Sequence, residues 1–240
     1  MELNTFSIVA RCERTGHLGI AVSSAVPSVG SICIYIDPGI GAVSTQSWVN
    51  PYLAIEALTY IREKFDAGLA LDKAIADDPD SRLRQIGIVG ITGSGAAFTG
   101  SDCTKWKGHL VGTDYAIQGN MLTGPQTLEA MQKIWLANSS MELAERLMQV
   151  LEAGDQAGGD LRGKQSAALK VMGREIYAEV DLRVDEHNEP VAELRRILEV
   201  AKKQLLPFVQ GMPKRHGMST ALSNSVMQML LQPPASRNVG

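Results

Sequence analysis

Apolar and polar positions change period several times along the chain. The runs TFSIVAR (5–11) and LGIAVSS (18–24) are short, β-rich and separated by a Thr15-Gly16 turn, the pattern of a β-hairpin. Residues 31–36 and 41–47 repeat it around Asp37-Pro38-Gly39, where proline fixes φ and glycine permits positive φ. Asn50-Pro51 reads as an N-cap followed by proline at the first helical position. It predicts a helix to about Phe65, with a second over 71–77. Strands are expected again at 85–90 and 95–100, flanking the turn Thr92 to Gly95, and at 114–119. Helices over 124–136 and 140–153 follow, the second ending at Gly154 as its C′ residue. Strands 166–172 and 176–184 lead into a helix over 190–205. Beyond Leu206, the residues Met218, Leu222, Val226 and Leu230 recur every fourth position, the stripe of one amphipathic helix over 218–231.

This order interleaves antiparallel hairpins with paired helices. It predicts an α+β fold in which two antiparallel sheets pack face to face and helices cover the outer faces. The hairpin 4–11/18–24 belongs at the centre of one sheet. No low-complexity linker or internal repeat divides the chain, so one domain is expected over residues 1–206, with a tail over 207–240 carrying one short helix.

Composition excludes several classes of partner. The 240 residues are 45% hydrophobic and 20% charged, which is ordinary for a folded globular protein. A net charge of −3 with no basic face gives no reason to expect nucleic acid. No apolar stretch approaches the ~20 residues needed to span a bilayer, so no membrane partner is expected. The first residues lack a basic region, and Arg11, Glu13 and Arg14 interrupt the apolar run nearby, so no signal peptide is expected. Three cysteines (Cys12, Cys33, Cys103) without CxxC spacing argue against a disulfide framework or structural zinc, and for the reducing cytoplasm.

Candidate chemistry gathers at strand ends. GGDLRGKQSAALKV (158–171) sets Asp160 and Arg162 on a glycine loop just before a strand that opens with Ser166. Either the loop is a turn pinned by its own salt bridge or it presents both groups to a ligand. Ser24, Thr45, Gln46 and Ser47 sit at two expected strand ends, and hydroxyls and amides there suit a small-molecule site as well as turn and cap bonds. Gln46 and Asn120 are amides that could donate to an oxyanion. Arg11 ends the first strand and could take a substrate carboxylate or a surface salt bridge. Ser7 shares a face with Thr5. Asp181, Arg183 and Asp185 alternate on one strand, as on a solvated or salt-bridged face. Asp185 and His187 lack the third ligand that catalytic zinc needs, so no metal is expected. His17 and His109 stand isolated, and no Ser-His-Asp spacing is visible.

The opening TFSIVARCERTGHLGIAVSS resembles the first hairpin of N-terminal-nucleophile (Ntn) hydrolases, a four-layer αββα fold. More narrowly, GIGAVSTQS, RQIGIVG, AAFTGSDC, QGNMLTG, LAERLMQVLEAGDQAGGDLRGKQSAAL and DLRVDEHNEPVAELRRIL look like a bacterial family of unknown function, domain of unknown function 1028. The similarity spans about residues 5 to 200. In Ntn hydrolases the first residue of the mature chain is the nucleophile, and its free amine, with a pKa of ~8, is the base. Thr5 stands at the matching position, but Met1 to Asn4 precede it, so a cut at Asn4-Thr5 would be required.

The resemblance thus implies hydrolysis of a small amide or other linear C–N bond, with Thr5 as nucleophile, Asp160 orienting it and Gln46 assisting. Arg11 or Arg162 would anchor a substrate carboxylate, and Ser24, Thr45, Ser47, Asn120 and Ser166 would complete the binding site. No cofactor is expected. Two alternatives stay open: a cyclohydrolase-like enzyme without an N-terminal nucleophile, and a non-catalytic ligand-binding or assembly protein with the same fold. The tail stripe is expected to join two copies as a homodimer, or else to pack on its own domain.

Overall fold

The computed structural model describes residues 5–234. Strands β1 (Thr5–Arg11) and β2 (Leu18–Ser24) pair antiparallel in unbroken register from Thr5–Ser24 to Arg11–Leu18. Gly16, at φ 73, lies in the turn between them. Around this hairpin a six-stranded sheet forms in the order β10-β9-β2-β1-β8-β7. It includes β7 (Gly108–Val111), β8 (Tyr115–Asn120), β9 (Ser166–Met172) and β10 (Ala178–Val184). A four-stranded sheet runs β3-β4-β5-β6, from β3 (Ile34–Asp37), β4 (Gly41–Ser47), β5 (Arg84–Gly90) and β6 (Ala96–Thr99). Every strand pair is antiparallel.

The sheets face one another through β1, β2 and β8 on one side and β4 and β5 on the other. Helices α2 (Pro51–Arg62) and α3 (Ala67–Ala76) cover the small sheet. Helices α4 (Gln126–Ala137), α5 (Leu143–Gln156) and α6 (Pro190–Gln204) cover the large one. The result is a four-layer αββα sandwich, the Ntn-hydrolase-like fold that the resemblance implies.

Alternation along β1 explains its central place. Phe6, Ile8 and Ala10 enter the core beneath α4 and α5, whereas Val9 packs between the sheets with Leu18, Ile20, Ala42 and Val89. Thr5, Ser7 and Arg11 share the face of Val9, so this strand carries polar groups into the layer between the sheets.

Local chemistry moves several boundaries. The expected strand 31–36 is divided, because residues 29–33 form a helical turn, α1 (Val29–Cys33), before β3. Ser28 is left-handed at φ 55, the Ser31 hydroxyl donates to its carbonyl (2.8 Å), and the Val29 N–H donates to Ser166 Oγ (3.0 Å). These serine bonds outcompete a strand ladder. Gly154 lies inside α5, where a Cβ would press on Met131 and Phe6 at 2.9 Å. The helix ends instead before Gly158 and Gly159, both at positive φ. Strand β7 is too short to show a period in sequence.

Helix α7 (Leu206–Gly211) begins the tail, and the amphipathic segment is shorter than its stripe, as α8 (Asn224–Leu231). Met218 lies outside that helix and is 92% exposed. Helix α8 packs on α6 of its own chain, with Val226, Met229 and Leu230 partly buried.

Helices α5 and α6 are tied by charge. Arg195 joins Glu145 (2.7 Å) to Glu152 (2.8 Å), and Lys202 also reaches Glu145 (2.5 Å). Burial alone would raise the Glu145 carboxyl, but bonds from Arg195, Lys202 and Gln149 outweigh it and bring it down to about 2. A depressed carboxyl stabilises the fold above its ordinary value of 4.5, and that contribution is lost as pH falls towards about 2. Urea midpoints measured across this window should therefore drop more steeply for the wild type than for Glu145→Gln. Equal slopes would contradict the tie.

Candidate active site

At the Thr5 end of the sandwich the layer between the sheets turns polar. Thr5 is fully buried; its hydroxyl donates to Ser24 Oγ (3.2 Å) and its carbonyl accepts from Gln46 Nε2 (3.2 Å). Register places Ser24 on one side of Thr5 and Asn120 on the other. Four strands thus bring Thr5, Ser24, Gln46 and Asn120 together.

One residue fixes the direction of this group. Gln85 Nε2 lies 2.8 Å from the Gly119 carbonyl and 3.1 Å from that of Gly108, and carbonyls can only accept. Its Oε1 must therefore be the acceptor, and it receives Gln46 Nε2 (2.8 Å) and Asn120 Nδ2 (2.9 Å). Gln46 Oε1 then turns to Ser7, whose hydroxyl donates to it (2.7 Å) and accepts from Gln118 Nε2 (2.6 Å). The chain of donors ends at Gln118 Oε1, which is buried without a donor among the described residues. Gly87 makes room for that amide, since a Cβ there would run into it.

The glycine loop closes over the same end. Asp160 bridges to Leu122, just past β8, while Thr123 N–H donates to Gly159 O (3.2 Å) and Leu161 N–H to Met121 O (3.0 Å). Its buried carboxylate accepts from Ala25 N–H (3.2 Å), one residue beyond Ser24, and from Arg162 N–H (2.8 Å). The Arg162 guanidinium lies 3.5 Å from that carboxylate, with its side chain 39% exposed. The pair pins its own turn, the first of the two sequence alternatives, and that turn spans the ends of β2 and β8 beside Thr5.

Other candidates lie elsewhere. Arg11 sits at the far end of β1, about 20 Å from Thr5. Its guanidinium is taken up by the carbonyls of Gly90 (2.6 Å), Gly93 (3.0 Å) and Thr113 (3.1 Å), so it joins the two sheets. Thr45 points to the opposite face from Gln46, with its hydroxyl towards Asn50 O (3.4 Å). Ser47 ends β4 at φ 64, paired with Arg84, and among the described residues no hydrogen bond links it to Thr5. Ser166 donates to Val26 O (2.5 Å) and accepts from Val29 N–H, which makes it a support for α1.

Asp181 and Asp185 carry surface ion pairs to Lys170 (2.8 Å) and Arg183 (3.0 Å). Among the described residues no group of three or more His, Cys, Asp or Glu could hold a metal ion. None of their helices is long and apolar enough to cross a membrane.

Ser44, whose hydroxyl lies 3.2 Å from that of Ser7, escapes the sequence reading, as do Gln85 and Gln118. Their signal is an amide or hydroxyl within a β-rich run, because a polar group buried in a strand there must find partners.

Layer order and topology define an Ntn-hydrolase-like αββα protein. Within that class the chain belongs to the Family of unknown function (DUF1028), which matches residues 5–194. The solved structure of protein SPO2555 from Silicibacter pomeroyi, a DUF1028 protein, is 26% identical, with 90% of this chain and 100% of that one covered and a TM-score of 0.83. More distant are a selenomethionine-labelled Anbu (Gly-1) mutant from Hyphomicrobium sp. strain MC1 and Anbu (ancestral β-subunit) from Yersinia bercovieri. The first is 13% identical over 88% of this chain and 100% of that one, with a TM-score of 0.42. The second is 12% identical over 87% and 98%, with a TM-score of 0.41. Among curated proteins none matches the chain.

Gln85→Leu would strand two amide donors and two carbonyls at once. Unmet buried groups cost about 1–3 kcal/mol each, so urea denaturation should show a loss of at least about 2 kcal/mol. Thr45→Val should stay within about 1 kcal/mol. A Gln85→Leu protein as stable as the wild type would contradict the network.

Proposed function

We propose that the protein is a hydrolase of a small amide or other linear C–N bond, with Thr5 as nucleophile once the chain is cut at Asn4-Thr5. One observation carries this reading: Thr5 begins the central strand, facing the layer between the sheets, with its hydroxyl and carbonyl each held by a buried side chain. A cut there would set a free amine beside that hydroxyl, and a terminal amine of pKa ~8 is a competent base near neutral pH.

In this scheme Gln46 and Ser24 hold the nucleophile, and Asn120 fixes Gln46 through Gln85. Asp160 orients the freed terminus from the adjacent loop. Arg162 takes the substrate carboxylate, since Arg11 is committed at the other end. The three cysteines suit a reducing cytoplasm. The outward Met227 (44% exposed) and Leu231 (79%) of α8 suit a homodimer. Complete burial of Thr5 favours a second reading, in which the uncut protein binds a ligand without an N-terminal nucleophile.

Intact mass should show loss of residues 1–4 in whichever fraction hydrolyses a panel of linear amides and ureido compounds. Turnover by a chain still carrying Met1 would sink the Thr5 mechanism. Light scattering of a chain lacking 212–240 should show a monomer; an unchanged dimer would remove the tail from the interface.

A further inference from the structure

A cavity of about 780 Å³ opens at the other end of the hairpin, between its turn and helices α5, α6 and α7. That volume is within the range of small-molecule sites, ~300–1,000 Å³. Three side chains of complementary chemistry line it: Cys12, His17 and Glu179.

Cys12 and His17 form the next pair beyond Arg11–Leu18, with Cys12 N–H donating to His17 O (2.8 Å). Glu179 of β10 lies 3.0 Å from His17 Nδ1. A carboxylate only accepts, so Nδ1 carries a hydrogen towards Glu179, and Nε2 is the ring nitrogen left to act as a base. The sequence alone leaves His17 isolated; folding supplies its partner from 162 residues further on (179 − 17).

Burial would push the Cys12 thiol up, but bonds from the Thr15 hydroxyl and from the N–H groups of Thr15 and Arg14 bring it below its ordinary value. The other two cysteines differ. Cys33 is pushed up to about 12 by burial, and Cys103 donates to the Arg84 carbonyl (3.3 Å).

Two cations complete the wall. Arg14 donates to Met141 O (2.7 Å), and Lys214 to Tyr177 Oη (3.0 Å). Among the described residues neither forms an ion pair, whereas Lys202 in the same wall is paired with Glu145 and Glu199.

We propose that this cavity is a second reactive site, in which Cys12 undergoes thiol–disulfide exchange with a small disulfide bearing carboxylates. His17 takes the thiol proton, and the thiolate attacks one sulfur of the incoming disulfide. A Cys12–S bond forms as the disulfide's own S–S bond breaks. The departing thiolate leaves with the proton from His17, so protein thiol and disulfide become mixed disulfide and free thiol. Arg14 and Lys214 supply the selection for carboxylates. The site is independent of the chemistry assigned to Thr5.

The test treats the full reduced chain with oxidised glutathione and, separately, with uncharged hydroxyethyl disulfide. Peptide mass spectrometry should place one adduct on Cys12, with Cys33 and Cys103 untouched, and dithiothreitol should remove it. Relative to free cysteine, oxidised glutathione should react about tenfold faster than the neutral disulfide, the low end of electrostatic focusing in a charged cleft. Arg14→Ala with Lys214→Ala should erase that preference, and His17→Gln should slow both reactions at unchanged melting temperature. An unmodified Cys12 in the native protein, or reaction only where Cys33 and Cys103 react too, would overturn the site. Equal rates for both disulfides in the wild type would overturn its selection of carboxylates.

Discussion

Between the two sheets a side-chain amide is buried, and each N–H or C=O left unmet there costs about 1–3 kcal/mol. Gln85 meets this constraint by donating to two backbone carbonyls of the opposite sheet, those of Gly108 and Gly119. Carbonyls cannot donate, so the amide has one orientation, and the orientations of Gln46, Asn120, Ser7 and Gln118 follow in turn. Apolar packing would tolerate small sliding of one sheet over the other. This directional set does not, and it sets the Thr5 carbonyl and hydroxyl at the end of the central strand. An interior of this kind weakens the hydrophobic contribution of the layer while making its geometry specific.

The opposite end of β1 is fixed by other means. Arg11 reaches three carbonyls from both sheets, so a buried cation closes the layer there. Between these ends lies the apolar centre of Val9, Leu18, Ile20, Ala42 and Val89. Beyond Arg11 the hairpin turn leaves the sandwich and faces α5 to α7, where Cys12, buried at the edge of the core, and His17 line a cavity. One hairpin therefore spans two chemically unlike environments, about 20 Å apart.

Much of this was legible in the residues. The period-two runs, the Asp37-Pro38-Gly39 turn and the Asn50-Pro51 cap identify the hairpins and the first helix, since each has a local physical cause. Asn50 Oδ1 accepts from Tyr52 N–H (3.1 Å), as such a cap should. What local pattern misses is set by distant partners. Residues 31–33 are helical because Ser166, far along the chain, receives the Val29 N–H. Arg11 and Ser166 look like ligand groups in sequence, yet both are spent on backbone atoms that only the fold brings near. Gln85 and Gln118 read as stray polar residues in apolar strands, and His17 as isolated, until the sheets supply their partners. The Asp160 loop was legible as a turn, but its place beside Thr5 depends on pairing with residues 121–123.

We propose the Thr5 hydroxyl as the nucleophile of this sandwich. A chain prepared to begin at Thr5, treated with a β-lactone electrophile and mapped by tandem mass spectrometry, tests it most directly. Acylation of Thr5 Oγ1, lost in Thr5→Val and blocked by prior acetylation of the terminal amine, is the predicted result. A folded chain with a free Thr5 amine that is acylated elsewhere, or not at all, would contradict it.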